Sequence, residues 1–430
     1  MRWRLASLGC AMMASALLST GCGGSGSSNT TVPSQQATPQ PGTYNAYVGT
    51  QGTGDTWQLA INHTTNSFSA TDFSLQAGSG GIGGGGGLTG AAGFFNGVWV
   101  FDAGFLNFTQ TNTNPAFQPL GFTLEIPNRL VFLRPDYASV GQTTPMAQPP
   151  VAAVPGSCLN IGSNETFQFV TMPNASWQAG AQTAYGSFQV ATTGNTWNFS
   201  SLNQLLLNHS ANQPGASFSP GLCTASRPGT VISIPPGSTI TTNNTLVVGP
   251  SGFLIMNQGA GTSSLVGMAQ PTQALNSTSV ANANYLGFLS EPNIPFPGGP
   301  GQPPPNEIVA FGCPSSGCTS SALVGGAFPL SNPSDSTSDD PTQPSATDIT
   351  IALGNQDPKN NGLYDSATIT VPDPNHVCTG SNSGTDANGN PVCTFPAVAI
   401  AGSPESKIAI FVIAQDIVNG SPMGIYLFQE

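Results

Sequence analysis

Apolar and polar residues alternate with a period of two along much of this chain. Trp57, Leu59 and Ile61 interleave with Gln58, Ala60 and Asn62, and Phe122, Leu124 and Ile126 with Thr123 and Glu125. Ile349, Ile351 and Leu353 repeat the pattern late in the chain, as do Ala367, Ile369 and Val371. Such alternation turns one face of an extended segment to a core and the other to water. The runs 98–101, 130–133 and 408–414 are apolar at successive positions instead, which predicts strands covered on both faces. Clusters of Gly, Asn, Thr and Pro bound these segments about every ten residues. The best helix candidate runs from Leu202 to His209 around Leu205, Leu206 and Leu207 and predicts about two turns. The expected fold class is all-β and antiparallel, with little helix.

Duplication is a second expectation. Tyr44 and Tyr47 lead to Gly54 and Trp57, while Tyr185 and Phe188 lead to Gly194 and Trp197. The segment 104–110 (GFLNFTQ) is echoed by 252–258 (GFLIMNQ), and a third unit opens at Tyr285 and closes near Gln415. Two or three meander units are therefore expected, over 42–140, 156–275 and 282–430, each closing as a small barrel or folding as a sandwich. Pro-rich stretches at 142–155 and 291–305 read as the breaks, and 331–345 as a low-complexity loop. The residues from Met423 to Glu430 continue a strand pattern, so they are expected to pair internally.

Composition narrows the function classes. Of 430 residues only 6% are charged, with 7 basic against 19 acidic side chains and a formal net charge of −12. Arg2 and Arg4 belong to the N-terminal peptide, and the few remaining cations cannot neutralise a run of phosphates, which excludes nucleic acid as a partner. No apolar run past the N-terminus reaches the ~20 residues of a membrane-spanning helix. With few ionisable groups, folding is expected to change little between neutral pH and about pH 4.

The N-terminus reads as an address. A basic head from Met1 to Arg4 precedes an apolar stretch from Leu5 to Leu18, which ends in Ser19, Thr20, Gly21 and Cys22. This resembles the lipobox of bacterial lipoproteins, in which a small residue precedes a Cys that becomes the lipidated N-terminus. The family usually carries Leu three residues before that Cys; here Ser19 holds the place and Leu18 lies one position further back. The resemblance implies a signal peptide over 1–21 and lipid on Cys22. Gly23 in place of Asp further implies release to the outer membrane. Acyl chains in thioether and amide linkage supply the two or more anchors that stable attachment needs. Residues 22–41, rich in Gly, Ser, Thr, Gln and Pro, read as a disordered tether.

Eight cysteines are then accounted for. Cys10 leaves with the signal peptide and Cys22 carries lipid, so Cys158, Cys223, Cys313, Cys318, Cys378 and Cys393 remain as disulfide candidates. Sequence proximity favours 158–223, 313–318 and 378–393, the last closing an otherwise unsupported polar loop. A zinc site would need close Cys/His pairs, and only His376 and Cys378 are neighbours of that kind.

Chemistry is sparse. His63, His209 and His376 are the only imidazoles, and neither a Gly-x-Ser-x-Gly elbow nor a His-Glu-x-x-His helix occurs. His63 reads as a turn residue and His209 as a helix-end cap. The segment from Gly78 to Gly83 fits a Gly-x-Gly-x-x-Gly phosphate loop in form only, because no βαβ unit surrounds it. Asp386, Asn388 and Asn390 place oxygens at alternate positions, as calcium loops do, but Pro391 stands where the bend needs Gly. The segment 357–365, enclosing Asn360, Asn361 and Gly362, shares that ambiguity, and both read more simply as Asx turns. Trp57, Trp99 and Trp197 fall in strand patterns, which leaves Trp177 as the candidate for stacking on a sugar. The expectation is a non-enzymatic protein without cofactor, lipid-anchored outside the cytoplasm, with a structural or binding role toward glycan or a surface protein. The alternatives are a module binding glycan or a small apolar molecule in a barrel mouth, and a glycoside hydrolase with an unflagged carboxylate pair.

Overall fold

The structure is a computed structural model. It describes the strands and short helices named below together with residues 129, 172, 183, 207–211, 249, 252, 264, 270–276, 282–284, 353–362, 373, 376, 378–379, 386–390, 403–404 and 407–408. The protein is all-β, and every ladder among the described residues is antiparallel.

Strands β1 (Asn45–Gln51), β2 (Thr56–Asn62), β3 (Ser67–Asp72), β4 (Gly87–Phe94), β5 (Gly104–Gln110), β6 (Phe122–Ile126), β7 (Leu130–Leu133) and β8 (Val151–Pro155) follow one another as a meander and close into a barrel. Closure comes from β8, which pairs with β7 and with β1. It lies inside the stretch that reads as a Pro-rich break. Val151, Ala152, Ala153 and Val154 are all buried, and their continuous apolar run outweighs the flanking prolines. Pro155 stands at the strand end, where a missing N–H is tolerated.

The second barrel consists of β9 (Glu165–Thr171), β10 (Ala184–Thr193), β11 (Thr196–Leu206), β12 (Gly221–Thr224), β13 (Val231–Ile234), β14 (Asn244–Val248), β15 (Phe253–Asn257) and β16 (Leu265–Ala269), with β16 paired back to β9. Here the helix expected at 202–209 is absent. Ser200, Ser201 and Asn203 interrupt the leucines with residues whose side chains compete for backbone groups, and Ser201 takes a positive φ of 53°. That residue sits where the β10–β11 register shifts, so the segment is a bulged strand that ends in a turn at His209.

A five-residue helix, α1 (Ser277–Ala281), precedes the third sheet. Its strands are β17 (Tyr285–Ser290), β18 (Asn306–Gly312), β19 (Ala322–Ala327), β20 (Ile349–Ala352), β21 (Leu363–Pro372), β22 (Ser383–Thr385), β23 (Pro391–Gly402), β24 (Ala409–Gln415) and β25 (Pro422–Gln429), with a 3-10 turn at Gly380–Asn382. The β21–β23 ladder closes eight of these strands into a ring and leaves β22 on the other edge of β23. Its interior is packed with side chains, among them Tyr285, Phe311, Ile369, Phe395, Val412 and Leu427. An eight-stranded ring is just wide enough to be filled this way.

The run 408–414 is apolar at every position because both faces of β24 are used. Ile410, Val412 and Ala414 point into the third barrel, while Ala409, Phe411 and Ile413 point outward. Those outward residues join one cluster with Leu130, Phe132, Ala152 and Val154 of the first barrel and Val170, Phe253, Ile255 and Val266 of the second. A core thus lies between the barrels as well as within the third. The sequence echoes do not mark equivalent strands. The Tyr–Gly–Trp pattern spans the first two strands of one barrel but the second and third of the next, and the GFL echo falls on β5 and β15. A closed meander repeats its pairing, and any tight hairpin accepts that wording.

Candidate functional site

The richest group of polar side chains lies where the second and third barrels meet. Tyr185 on β10 is 1% exposed, and its hydroxyl lies 3.0 Å from His209 Nδ1. The turn after β11 delivers the imidazole: His209 takes a φ of 63°, its N–H donates to Leu206 O, and Asn208 Oδ1 accepts both the N–H and the hydroxyl of Ser210. The rings meet edge to face at 82°. Burial, and then the charges of Asp365 and Asp357, push the Tyr185 hydroxyl up to about 12. Tyr185 therefore keeps its proton at neutral pH.

Asp357 belongs to a loop between β20 and β21 that folds on itself. Its Oδ1 accepts the N–H groups of Lys359 (2.7 Å) and Asn360 (2.8 Å) and the Asn360 side-chain amide (3.1 Å). Gln356 Oε1 accepts from Leu275 and Gly362. Gly362 is needed at φ 81°, where a Cβ would run into Ala401 O. The loop reaches the second barrel through Asn361 O, which accepts Gln168 Nε2 at 2.8 Å. Glycine and amide groups thus clasp the two barrels, and the carboxylate at 357 is spent on its own turn, as the Asx reading expects.

The other sequence candidates are dispersed. Cys378 and Cys393 form a disulfide, which closes the loop that carries β22. Beside it Asp373, 2% exposed, accepts the Cys378 N–H at 3.0 Å. Its carboxylate and the two sulfurs lie within 4.8 Å of one another, but the disulfide occupies both sulfurs. His376 is exposed at φ 52° and donates its N–H to Asp373 O. Asp386 Oδ1 accepts the N–H groups of Asn388 and Asn390, and Oδ2 accepts the Asn390 amide. Hydrogen bonds from Asn390 and the neighbouring backbone hold the Asp386 carboxyl below its ordinary value. Both of its oxygens face N–H donors, the geometry of an Asx turn between β22 and β23.

Cys22, Cys158, Cys313, Cys318, Trp177, Trp99 and His63 lie outside the described residues. Cys223 falls on β12, Trp57 on β2 and Trp197 on β11, and nothing is described of their side chains. Sequence reasoning missed Tyr185 and Gln168. Both sit on strands apolar enough to read as core; Tyr185 meets His209 from the turn after β11, and Gln168 meets Asn361 of the third barrel's loop.

No family model and no curated protein matches the chain. Among solved structures it is similar to two mutants of the vaccine antigen Transferrin Binding Protein B (TbpB) from Haemophilus parasuis Hp5. One is a single mutant, at 9% identity and a TM-score of 0.22. The other is a double mutant, at 8% identity and the same TM-score of 0.22. In both cases 87% of this chain covers 65% of that one, so the chain spans about two thirds of their length.

Proposed function

We propose that this chain is a lipid-anchored, extracytoplasmic β protein whose role is structural or binding rather than catalytic. The observation that carries the reading is how the barrels are used. The third is filled with side chains, and outward residues of its strands share one core with residues of the other two barrels. Among the described residues this construction favours a rigid body that presents its remaining surface. The lipobox-like segment at Leu18–Cys22 and the polar tether support anchoring at a membrane surface, with the outer membrane as the proposed location. A disulfide at Cys378–Cys393 fits an oxidising compartment.

The neutral amide- and hydroxyl-rich surface fits a glycan or a surface protein as partner. A hydrolase would need two free carboxylates facing a cleft, and Asp357, one of the two acids whose charge reaches Tyr185, is already committed to three donors. Two measurements test the proposal. Labelled palmitate should enter the wild type and not Cys22→Ser, and the soluble Cys22→Ser form should retain specific spots on a glycan array or capture a surface protein from intact cells. Equal labelling of both forms, or turnover of a glycoside substrate by the purified protein, overturns it.

A further inference from the structure

Asp373, Cys378 and Cys393 bring a carboxylate and two sulfurs within 4.8 Å of one another, and all three residues are buried. Main-chain pairing positions the carboxylate without help from the disulfide. Asp373 directly follows β21; its N–H donates to Pro391 O at 2.8 Å, and its own carbonyl accepts the His376 N–H at 3.1 Å. Its Oδ2 accepts the Cys378 N–H at 3.0 Å, which keeps the second residue beside the first. Cys393 lies on β23 between two ladders, opposite Val371 of β21 and Ser383 of β22. Parting the sulfurs therefore leaves three donors on a framework of ladder and turn hydrogen bonds.

A disulfide carries no charge and needs no carboxylate at its side, while a buried carboxylate is costly unless a charge or strong donors answer it. In the dithiol form a cation supplies that charge. Donors around a tetrahedral zinc ion, at about 2.3 Å for sulfur and 2.0–2.2 Å for oxygen, stand about 3.6–3.8 Å apart. The three atoms already lie close to that spacing, and Cα atoms 5.7 Å apart let the freed sulfurs open to it by side-chain rotation. Two thiolates with one carboxylate select a soft divalent ion over calcium or magnesium. We propose that Asp373, Cys378 and Cys393, once the disulfide is reduced, form a binding site for a thiophilic divalent cation of the zinc class.

The change of state needs a dithiol reductant. One of its thiolates bonds to a protein sulfur as the Cys378–Cys393 bond breaks; its second thiol then displaces that sulfur, and the reductant leaves as a disulfide with both cysteines as thiols. The cation releases the two thiol protons to solvent as it binds, and water takes its fourth position. The mostly exposed loop 379–390, no longer closed covalently, gives the path of entry. The bound ion then closes the same loop that the disulfide closed, so the turn around Asp386 stays in place in both redox states.

The test uses the full chain carrying Cys22→Ser, reduced with a dithiol, freed of reductant under argon and titrated with cadmium while the thiolate charge-transfer absorption is followed. Adding Cys378→Ser or Cys393→Ser should remove one cadmium equivalent relative to that parent, since every other cysteine is common to the set. Asp373→Asn still offers an oxygen to the Cys378 N–H but loses the anionic ligand, so it should bind at this site at least about tenfold more weakly. Proteolysis supplies a second arm: zinc should protect 379–390 in the reduced parent and not in reduced Asp373→Asn. A parent that takes up no more cadmium than Cys378→Ser, an Asp373→Asn chain that binds as tightly as the parent, or a loop cleaved equally with and without zinc would each overturn the assignment.

Discussion

The ring of Tyr426 stacks on that of Phe132, with centroids 4.7 Å apart and planes 28° from parallel. The first residue belongs to the last strand of the third barrel and the second to β7 of the first, so the contact crosses between barrels. Phe132 also meets Phe288 at 5.4 Å and Phe428 at 6.1 Å, which makes it the first barrel's anchor in the shared core. Phe132→Ala should therefore cost about 3–5 kcal/mol, the range for truncating a buried aromatic. The loss should appear in the unfolding of the whole body. Intrinsic fluorescence and far-ultraviolet circular dichroism should shift together in urea; a loss confined to an early, separate transition would show that the barrels unfold independently.

The disulfide offers a simpler measurement. Cys378 and Cys393 are separated by 15 positions and enclose the 3-10 turn, β22 and the Asp386 turn. The enclosed residues from Thr379 to Asn390 are mostly exposed, so covalent closure rather than packing holds them. A loop of that length gains about 3 kcal/mol from cross-linking in the chain-entropy account. Cys378→Ala paired with Cys393→Ala should lower the melting temperature by several degrees and expose 379–390 to proteolysis, with the barrel ladders intact. An unchanged melting temperature would mean that the Asx turn and the β22–β23 ladder suffice.

Strand type and fold class were legible because a period of two needs no partner to be read. The continuous runs at 130–133 and 408–414 were equally legible as strands covered on both sides. What covers them was not, since nothing in Phe132 or Phe411 says that the second layer is another barrel. The strand at 151–155 hid behind its prolines, and the bulged strand at 196–206 hid behind three leucines in a row. The disulfide at 378–393 is one of the pairings that sequence proximity favours, because it closes the polar loop between the two cysteines. The clasp of Tyr185, His209, Gln168 and Asn361 joins positions as much as 193 residues apart, and no local pattern records such a meeting.

Acid should disturb this protein little. Asp386 is held below its ordinary value of 3.8, so whatever stability its turn contributes is present above that value and fades only as pH falls through the lower native one. Glu165 has the opposite sign. Burial raises its carboxyl above the ordinary 4.5, so the protonated form is favoured in the native state; that stability is complete below 4.5 and lost as pH rises through the native value. Glu165→Gln should accordingly melt slightly higher than the wild type at neutral pH, by less than about 1 kcal/mol at this half-buried site. The difference should vanish below about pH 4. Thermal melts of both proteins from pH 3 to pH 8 check the crossover, and a larger advantage for the variant at acid pH would contradict the sign.

The C-terminal strand carries more than its length implies. β25 pairs with β24 along seven residue pairs from Ala409↔Phe428 to Gln415↔Pro422, and with β17 from Tyr285↔Gln429 to Ser290↔Gly424. It is therefore the stave that closes the third barrel between its first and penultimate sequence elements. Met423, Ile425 and Leu427 fill the interior, while Tyr426 and Phe428 supply the core between barrels. Deleting Met423 to Glu430 removes both sets at once and leaves two long strand edges unpaired, an arrangement that invites aggregation. The truncated protein should lose the cooperative unfolding of the third barrel and bind a hydrophobic dye at temperatures where the full chain does not. An unchanged thermal transition on deletion of these eight residues would show that the ring does not depend on its last strand.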